Sequence, residues 1–246
     1  MKLLKKATMV TLACALLAAS VQASVTIGGT RVVYPIGQRE ITVKLANDSR
    51  DPSLVQVWMD DGDPDVKPGE VDVPFVITPP IFRMDPKKAQ TLRVMYSGAA
   101  LPQDRESVYW LNVLDIPPKA SSASDVNTLQ LAYRTRIKVF VRPANLPGKP
   151  EEAPAQLSWK IAASPDGKSQ AVSVSNPTPY HVSFSEVEIE SAGHSFENER
   201  GGMVAPYASV ILPVARMNAV AADATVRYTA ISDYGGAIIG NAALRQ

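Results

Sequence analysis

The sequence is short of the parts from which enzymes, metal centres and disulfide scaffolds are built. In 246 residues it has one cysteine, Cys14, and two histidines, His181 and His194. It has no Gly-x-Ser-x-Gly elbow and no phosphate-cradling glycine loop. Nucleophile–base chemistry therefore has few candidate parts, and no enzymatic activity is expected. Both histidines are read as surface strand or loop residues, and no metal or other cofactor is expected. Neither sign of charge dominates, with 25 basic against 24 acidic residues, so nothing pulls the chain toward nucleic acid. Past the N-terminus no apolar run is long enough for a membrane-spanning helix, so a soluble mature chain without membrane insertion is expected.

The N-terminus itself reads as a targeting segment. Lys2, Lys5 and Lys6 form a basic start, Ala7 to Ala19 an apolar stretch too short to cross a bilayer, and Val21-Gln22-Ala23 a small-residue cleavage site. The boundaries expected are a signal peptide over 1–23 and a mature chain from Ser24. Acylation at Cys14 is the competing reading, but Thr11-Leu12-Ala13 is a poor lipoprotein box. Removing the leader removes the only cysteine, so a secreted chain without disulfides must be held by its core.

What is present is alternation. Glu40 to Leu45, Val55 to Trp58, Thr91 to Tyr96 and Ala171 to Val174 alternate polar and apolar residues, the two-residue period of half-buried strands. Turn clusters separate them: Asn47-Asp48-Ser49, Asp61-Gly62-Asp63-Pro64, Pro86-Lys87-Lys88 and Pro165-Asp166-Gly167. Most of the 20 prolines and 14 glycines sit in such clusters, and many short strands with frequent turns mean a sandwich or barrel. No capped helical pattern supports a major helix. The clearest boundary is the run from Arg142 to Pro150, with three prolines and a glycine after the longest strand-like segment. It divides the chain into a first domain over 24–144, a stiff linker over 145–150 and a second domain over 151–246, with a cleft between the two.

Three features carry candidate chemistry. The acidic loop Asp60 to Asp65 has part of a calcium-loop spacing from Asp61. The sixth position is Val66 where glycine is needed and the twelfth is Asp72, so a solvated hairpin loop is the better account. The segment Asn127 to Arg142 is far longer than an ordinary strand, with Leu129, Leu131 and Tyr133 on one face and Gln130, Arg134, Arg136 and Lys138 on the other. It is either a core strand or an edge that pairs with a partner, and on pattern alone the two readings stand level. Arg31 lies in the probable first strand, where a lone arginine usually faces solvent. Beside Lys138 in a cleft it would make a carboxylate-sized anion site.

Six blocks occur in a telling order: Thr30-Arg31-Val32-Val33-Tyr34-Pro35, Thr78-Pro79-Pro80-Ile81-Phe82, Leu101-Pro102-Gln103-Asp104-Arg105-Glu106-Ser107, Arg136 to Pro143, Asn176-Pro177-Thr178-Pro179-Tyr180 and Ser232-Asp233-Tyr234-Gly235-Gly236. In this the chain resembles PapD-like periplasmic chaperones of the chaperone–usher pathway. The resemblance spans the mature chain and implies an all-β protein: two immunoglobulin-like sandwiches set in an L around an inter-domain cleft. It implies that Arg31 and Lys138 anchor the C-terminal carboxylate of a fimbrial subunit. It also implies that Leu129, Leu131 and Tyr133 form a donor strand filling the subunit's open groove. Strict alternation places Lys138 opposite Leu131, so a bulge or the cleft edge is expected to re-aim it. Pro52, Leu54, Gln56, Thr78, Pro79 and Pro80 match positions that face the outer-membrane usher, and Glu106, Arg142 and Asp233 match an inter-domain ion network. The short stretch from Ile116 to Thr128 resembles the short-loop subclass. Self-capping of the free protein as a homodimer stays open. A pilus subunit or adhesin is the alternative, disfavoured because such subunits usually carry a disulfide and a single incomplete domain. A sandwich enzyme is the third.

Overall fold

The computed structural model describes residues 25–119, 130–164, 170–198, 200–214, 217, 220–221 and 223–245. The expected leader, Cys14 and the first donor residue, Leu129, lie outside the described residues. The chain forms two β-sandwiches in sequence, and the alternating segments all fall on strands.

The first sandwich has nine strands: β1 (Val25–Ile27), β2 (Arg31–Pro35), β3 (Glu40–Asn47), β4 (Ser53–Asp60), β5 (Phe75–Thr78), β6 (Ile81–Met84), β7 (Ala89–Tyr96), β8 (Ser107–Ile116) and β9 (Tyr133–Arg142). One sheet has the order β1-β3-β7-β5 and the other β2-β9-β8-β4-β6. Their inward faces close on Tyr34, Leu45, Val55, Leu92, Leu111, Val139 and Val141, all almost completely buried. Tyr34 is the one polar group in that set. Its hydroxyl donates to the Gln38 carbonyl at 3.0 Å and accepts the Tyr96 amide at 3.1 Å, so its burial leaves no polar group wanting.

The boundary run then leads into a short 3₁₀ helix, Pro150–Gln156, that the sequence pattern did not announce. Its Ala153 belongs to the second core, as does Leu157 just after it. The second sandwich comprises β10 (Ser158–Ala163), β11 (Gln170–Ser175), β12 (Val182–Ser191), β13 (His194–Asn198), β14 (Gly202–Val204), β15 (Ser209–Pro213), β16 (Thr225–Ile231) and β17 (Ala237–Arg245). A two-residue parallel pairing of β10 with the end of β17 joins the β10-β11-β15 layer to the β13-β12-β16-β17 layer. Trp159 stacks on Tyr228 at 5.6 Å in the middle of this core. Gly240 is required opposite Tyr228, because a Cβ there would overlap the phenol ring.

β9 organises everything that follows. It pairs antiparallel with β8 from Tyr133 to Val141 without a register break. Its other edge pairs in parallel with β2 only from Lys138 to Arg142. The strand is therefore core in one half and an open edge in the other. Ile137, Val139 and Val141 are core, while Tyr133 is 57% exposed and Leu131, just before the strand, 50% exposed. Of the two devices expected to re-aim Lys138, a bulge or the cleft edge, the bulge is absent, since the register runs unbroken from Tyr133 to Val141. Simple alternation sends the even-numbered side chains of β9 to the outer face of the sheet, where the second sandwich meets it.

Candidate functional site

The parallel pairing of β2 with β9 sets Arg31 directly beside Lys138. Neighbouring residues of a ladder project to the same side, so two cations stand together on the outer face of the sheet. The second sandwich closes over them. Arg31 Nη1 donates to the Ile231 carbonyl at 2.9 Å, and Lys138 Nζ donates to Ser183 Oγ at 2.9 Å. Arg31 Nε is buried without a partner. Among the described residues neither cation forms a salt bridge. Burial, and then the neighbouring Arg31 charge, push the Lys138 ammonium down from 10.5 to about 8. Burial also lowers Arg31, against an opposing pull from Asp233. Two desolvated cations held by neutral acceptors form a site short of an anion.

Four residues along β9, Arg142 ties the sandwiches together. Its Nε donates to Glu106 Oε1 at 2.7 Å, and Nη1 and Nη2 donate to Asp233 at 2.7 and 3.0 Å. Burial opposes the Arg142 charge, but the hydrogen bonds and field of the two carboxylates outweigh it and hold the guanidinium above its ordinary value. The three expected members of the ion network thus come together. The reading of His181 as a surface residue is corrected here: its side chain is 4% exposed and that of Glu106 only 1%. The His181 amide donates to Glu106 Oε2 at 2.7 Å, and its ring packs against Phe140 at 5.4 Å. His194 is exposed on β13, as read. A cavity of about 20 Å³ remains beside Arg31 and Asp233, room for one water, so the sandwiches are closed on each other at this point.

Glu106→Ala is expected to cost roughly 3–5 kcal/mol of stability, because it strips a buried partner from both Arg142 and the His181 amide. Glu106→Gln keeps acceptor capacity and should lose less. Equilibrium unfolding in denaturant reads both, and an unchanged midpoint for Glu106→Ala would mean the network carries no stability.

Of the remaining expected residues, Pro52, Leu54 and Gln56 lie just before or on β4 of the same sheet, and Thr78-Pro79-Pro80 at the corner from β5 of the other sheet into β6. Leu54 on β4 is 47% exposed and pairs with Arg83 of β6 and Ile116 of β8. Pro52 and Leu54 line a mostly apolar cavity of about 290 Å³ with Ile116, Pro117 and Pro118. Gln56 pairs with Ile81, and the Val57 amide donates to the Pro80 carbonyl at 2.8 Å, which carries the surface into the Thr78-Pro79-Pro80 corner. The acidic loop is also better defined than expected. Asp60 ends β4 as a buried ion-pair partner of Arg136, and among the described residues no cluster of potential metal ligands is found.

Two family profiles cover this arrangement. Residues 24–147 match the one described as pili and flagellar-assembly chaperone, PapD N-terminal domain, and residues 152–242 match pili assembly chaperone PapD, C-terminal domain. The probable fimbrial chaperone YadV of Escherichia coli strain K12 is 45% identical over 234 residues, 94% of each chain. The chaperone protein FimB/FhaD of Bordetella pertussis is 44% identical over 225 residues, covering 89% of this chain and 88% of the relative. Among solved structures, the YadV chaperone superposes with a TM-score of 0.77 at 43% identity, covering 90% of this chain and 100% of that one. The SafB chaperone of Salmonella enterica, solved in complex with SafA pilin, gives a TM-score of 0.73 at 25% identity, covering 92% and 99%.

Proposed function

The chain belongs to the PapD family of pilus-assembly chaperones, and from that membership we infer that it captures fimbrial subunits in the periplasm and delivers them to an outer-membrane usher. The protein is a chaperone of pilus assembly. The observation that carries the detailed reading is the arrangement along β9. An exposed apolar stripe, Leu131 and Tyr133, precedes a half-buried cation pair, Arg31 and Lys138, without a salt bridge among the described residues, on a strand whose first half has a free edge. A subunit whose last strand ends in a carboxylate fits all three: its backbone pairs with the free edge, its groove accepts the stripe, and its terminus meets the cations. Leu129, which shares their parity in the sequence, lies outside the described residues.

The usher is assigned to the surface around Pro52, Leu54, Gln56 and the Thr78-Pro79-Pro80 corner. That surface stays accessible while β9 is occupied, because a subunit joins β9 at the edge away from β8, and β8 lies between β9 and β4. Exposed apolar side chains beside a cavity suit a docking contact.

Production of the full chain with a fimbrial pilin should yield a one-to-one chaperone–pilin complex in periplasmic extract by native mass spectrometry. Leu54→Ala should preserve that complex and reduce surface fibres several-fold or more, the scale of an interface anchor. No complex with any fimbrial pilin would defeat the function, and normal fibres from Leu54→Ala at native expression would defeat the usher assignment.

A further inference from the structure

The free half of β9 poses a physical problem that the anchor and the ion network do not solve. Tyr133 to Ile137 pairs with β8 alone, and a half-paired, exposed strand end is where local opening concentrates. Side-chain parity is meaningful only while such a segment stays extended. The even-numbered side chains supply a hold on it from the outer face. Arg136 Nε donates to Asp60 Oδ2 at 3.0 Å, its Nη2 donates to Asp60 Oδ1, and the guanidinium lies 4.6 Å over the Trp110 ring. The Asp60 side chain is 2% exposed and also accepts Asn112 Nδ2 at 2.7 Å and the Gly62 amide at 2.8 Å. Two residues back, Arg134 Nη2 donates to the Pro64 carbonyl at 2.6 Å, and its guanidinium lies 5.9 Å from the centre of the Trp58 ring. β4, β8 and the acidic loop therefore all grip one face of the segment whose other face is exposed from Tyr133 to Thr135 and enters the core at Ile137.

We propose that Asp60 and Arg136 form a clamp that keeps the open-edge half of β9 extended and in register before a subunit arrives. The clamp rests on the reading of β9 as the donor strand and adds how that strand is made ready. Arg136 is a positioning residue, pointing away from the side that Leu131 and Tyr133 present. Its pairing is bidentate and nearly dry, the kind of contact that fixes register more than it adds stability. A preordered strand spares the backbone entropy that a frayed one would lose on binding, so the clamp acts on the rate and tightness of capture. The clamp needs Asp60 ionised. Burial disfavours that charge, but the Arg136, Asn112 and Gly62 hydrogen bonds outweigh it and hold the carboxyl below the usual range.

The test compares wild type, Arg136→Met and Arg136→Lys as purified full-length mature proteins. A fimbrial pilin diluted from denaturant probes capture, and a dipeptide of that pilin's last two residues, too short to pair along Tyr133 to Ile137, probes the anchor alone. Arg136→Met should speed amide exchange at Tyr133 to Ile137 and slow pilin capture by about tenfold or more, while peptide binding stays at the wild-type level. Arg136→Lys, which keeps the charge and loses the fork, should fall between. A folded Arg136→Met with wild-type exchange and capture would overturn the clamp. So would an equal loss of peptide binding, which would show a general disturbance of the cleft. If Arg136→Met fails to fold because Asp60 is left unpaired, the Asp60→Asn/Arg136→Met double variant removes that charge, and wild-type capture by the double variant overturns the clamp in the same way. A wild-type protein that captures no pilin would instead defeat the donor-strand reading, leaving exchange at Tyr133 to Ile137 as the separate measure of the clamp.

Discussion

Leu131→Glu is expected to leave the free chaperone folded and to abolish capture of a pilus subunit. Leu131 is half exposed, so a charged replacement removes little from the chain's own core, and surface changes of this kind cost only about 0.5 kcal/mol. In the complex the same position enters the subunit's apolar groove. Burial of the leucine contributes roughly 1.5–3 kcal/mol there. A carboxylate in its place loses that contribution and adds the cost of burying an unpaired charge, so affinity should fall by more than ~100-fold. The control must sit next to it with the opposite parity. Gln130 is a poor choice, because its side-chain amide donates to the Pro117 carbonyl at 2.7 Å and a glutamate would lose that bond. Ala132 is exposed and lacks such a contact among the described residues, so Ala132→Glu should be far milder. Circular dichroism checks folding and pilin co-purification reads capture. Unfolding of Leu131→Glu alone would make the stripe internal core, and equal loss from both variants would mean that no face-specific groove is filled.

The double life of β9 also explains what the sequence could and could not reveal. From Leu131, just before the strand, to Val141 the odd-numbered residues keep one period-two pattern, broken only at the exposed Thr135. The chain's own core and a subunit's empty groove select the same apolar side chains. What separates donor from core is the neighbouring strand: β2 reaches Lys138 and stops, and no local pattern records where a distant strand ends. Elsewhere the alternation was sufficient, because β3 and β7 each have one buried face. It breaks in β12, where a bulge between Phe184 and Glu186 lets Phe184 and Val187 enter the same core despite opposite parity. Long-range partners were equally hidden. His181 looked like a surface residue because Glu106, which buries it, lies 75 positions earlier. Asp60 looked like the start of a solvated loop because its partner Arg136 lies 76 positions later. The Arg31 and Lys138 pairing needed a family resemblance to be suspected, since only the parallel register of two distant strands makes them neighbours.

Arg31→Ala and Lys138→Ala are each expected to fold and to fail in holding a subunit, and the pH dependence of binding identifies which charge is at work. In the free protein Lys138 is held at about 8 by burial and by Arg31, against an ordinary 10.5. A subunit carboxylate arriving beside it favours the charged form and raises that value in the complex. Binding therefore has its full strength below about pH 8, where Lys138 is already protonated. It weakens as pH rises past that point, by up to about tenfold per pH unit, because the lysine must then take up a proton to bind. Lys138→Arg cannot titrate in this range, so whatever affinity it retains should stay flat. The same logic predicts a cost in the free chaperone. The folded value lies below the unfolded one, so the penalty is complete below about pH 8 and fades as pH climbs toward 10.5; its size at neutral pH is at most roughly 3 kcal/mol. Lys138→Met should accordingly raise unfolding stability at pH 7 while eliminating capture, the trade expected where a cation is buried for a partner not yet present. Calorimetry with a pilin C-terminal peptide, free or amidated, separates the carboxylate from the rest of the strand. Wild-type binding of the amidated peptide, or an alkaline decline that persists in Lys138→Arg, would remove Lys138 from the anchor.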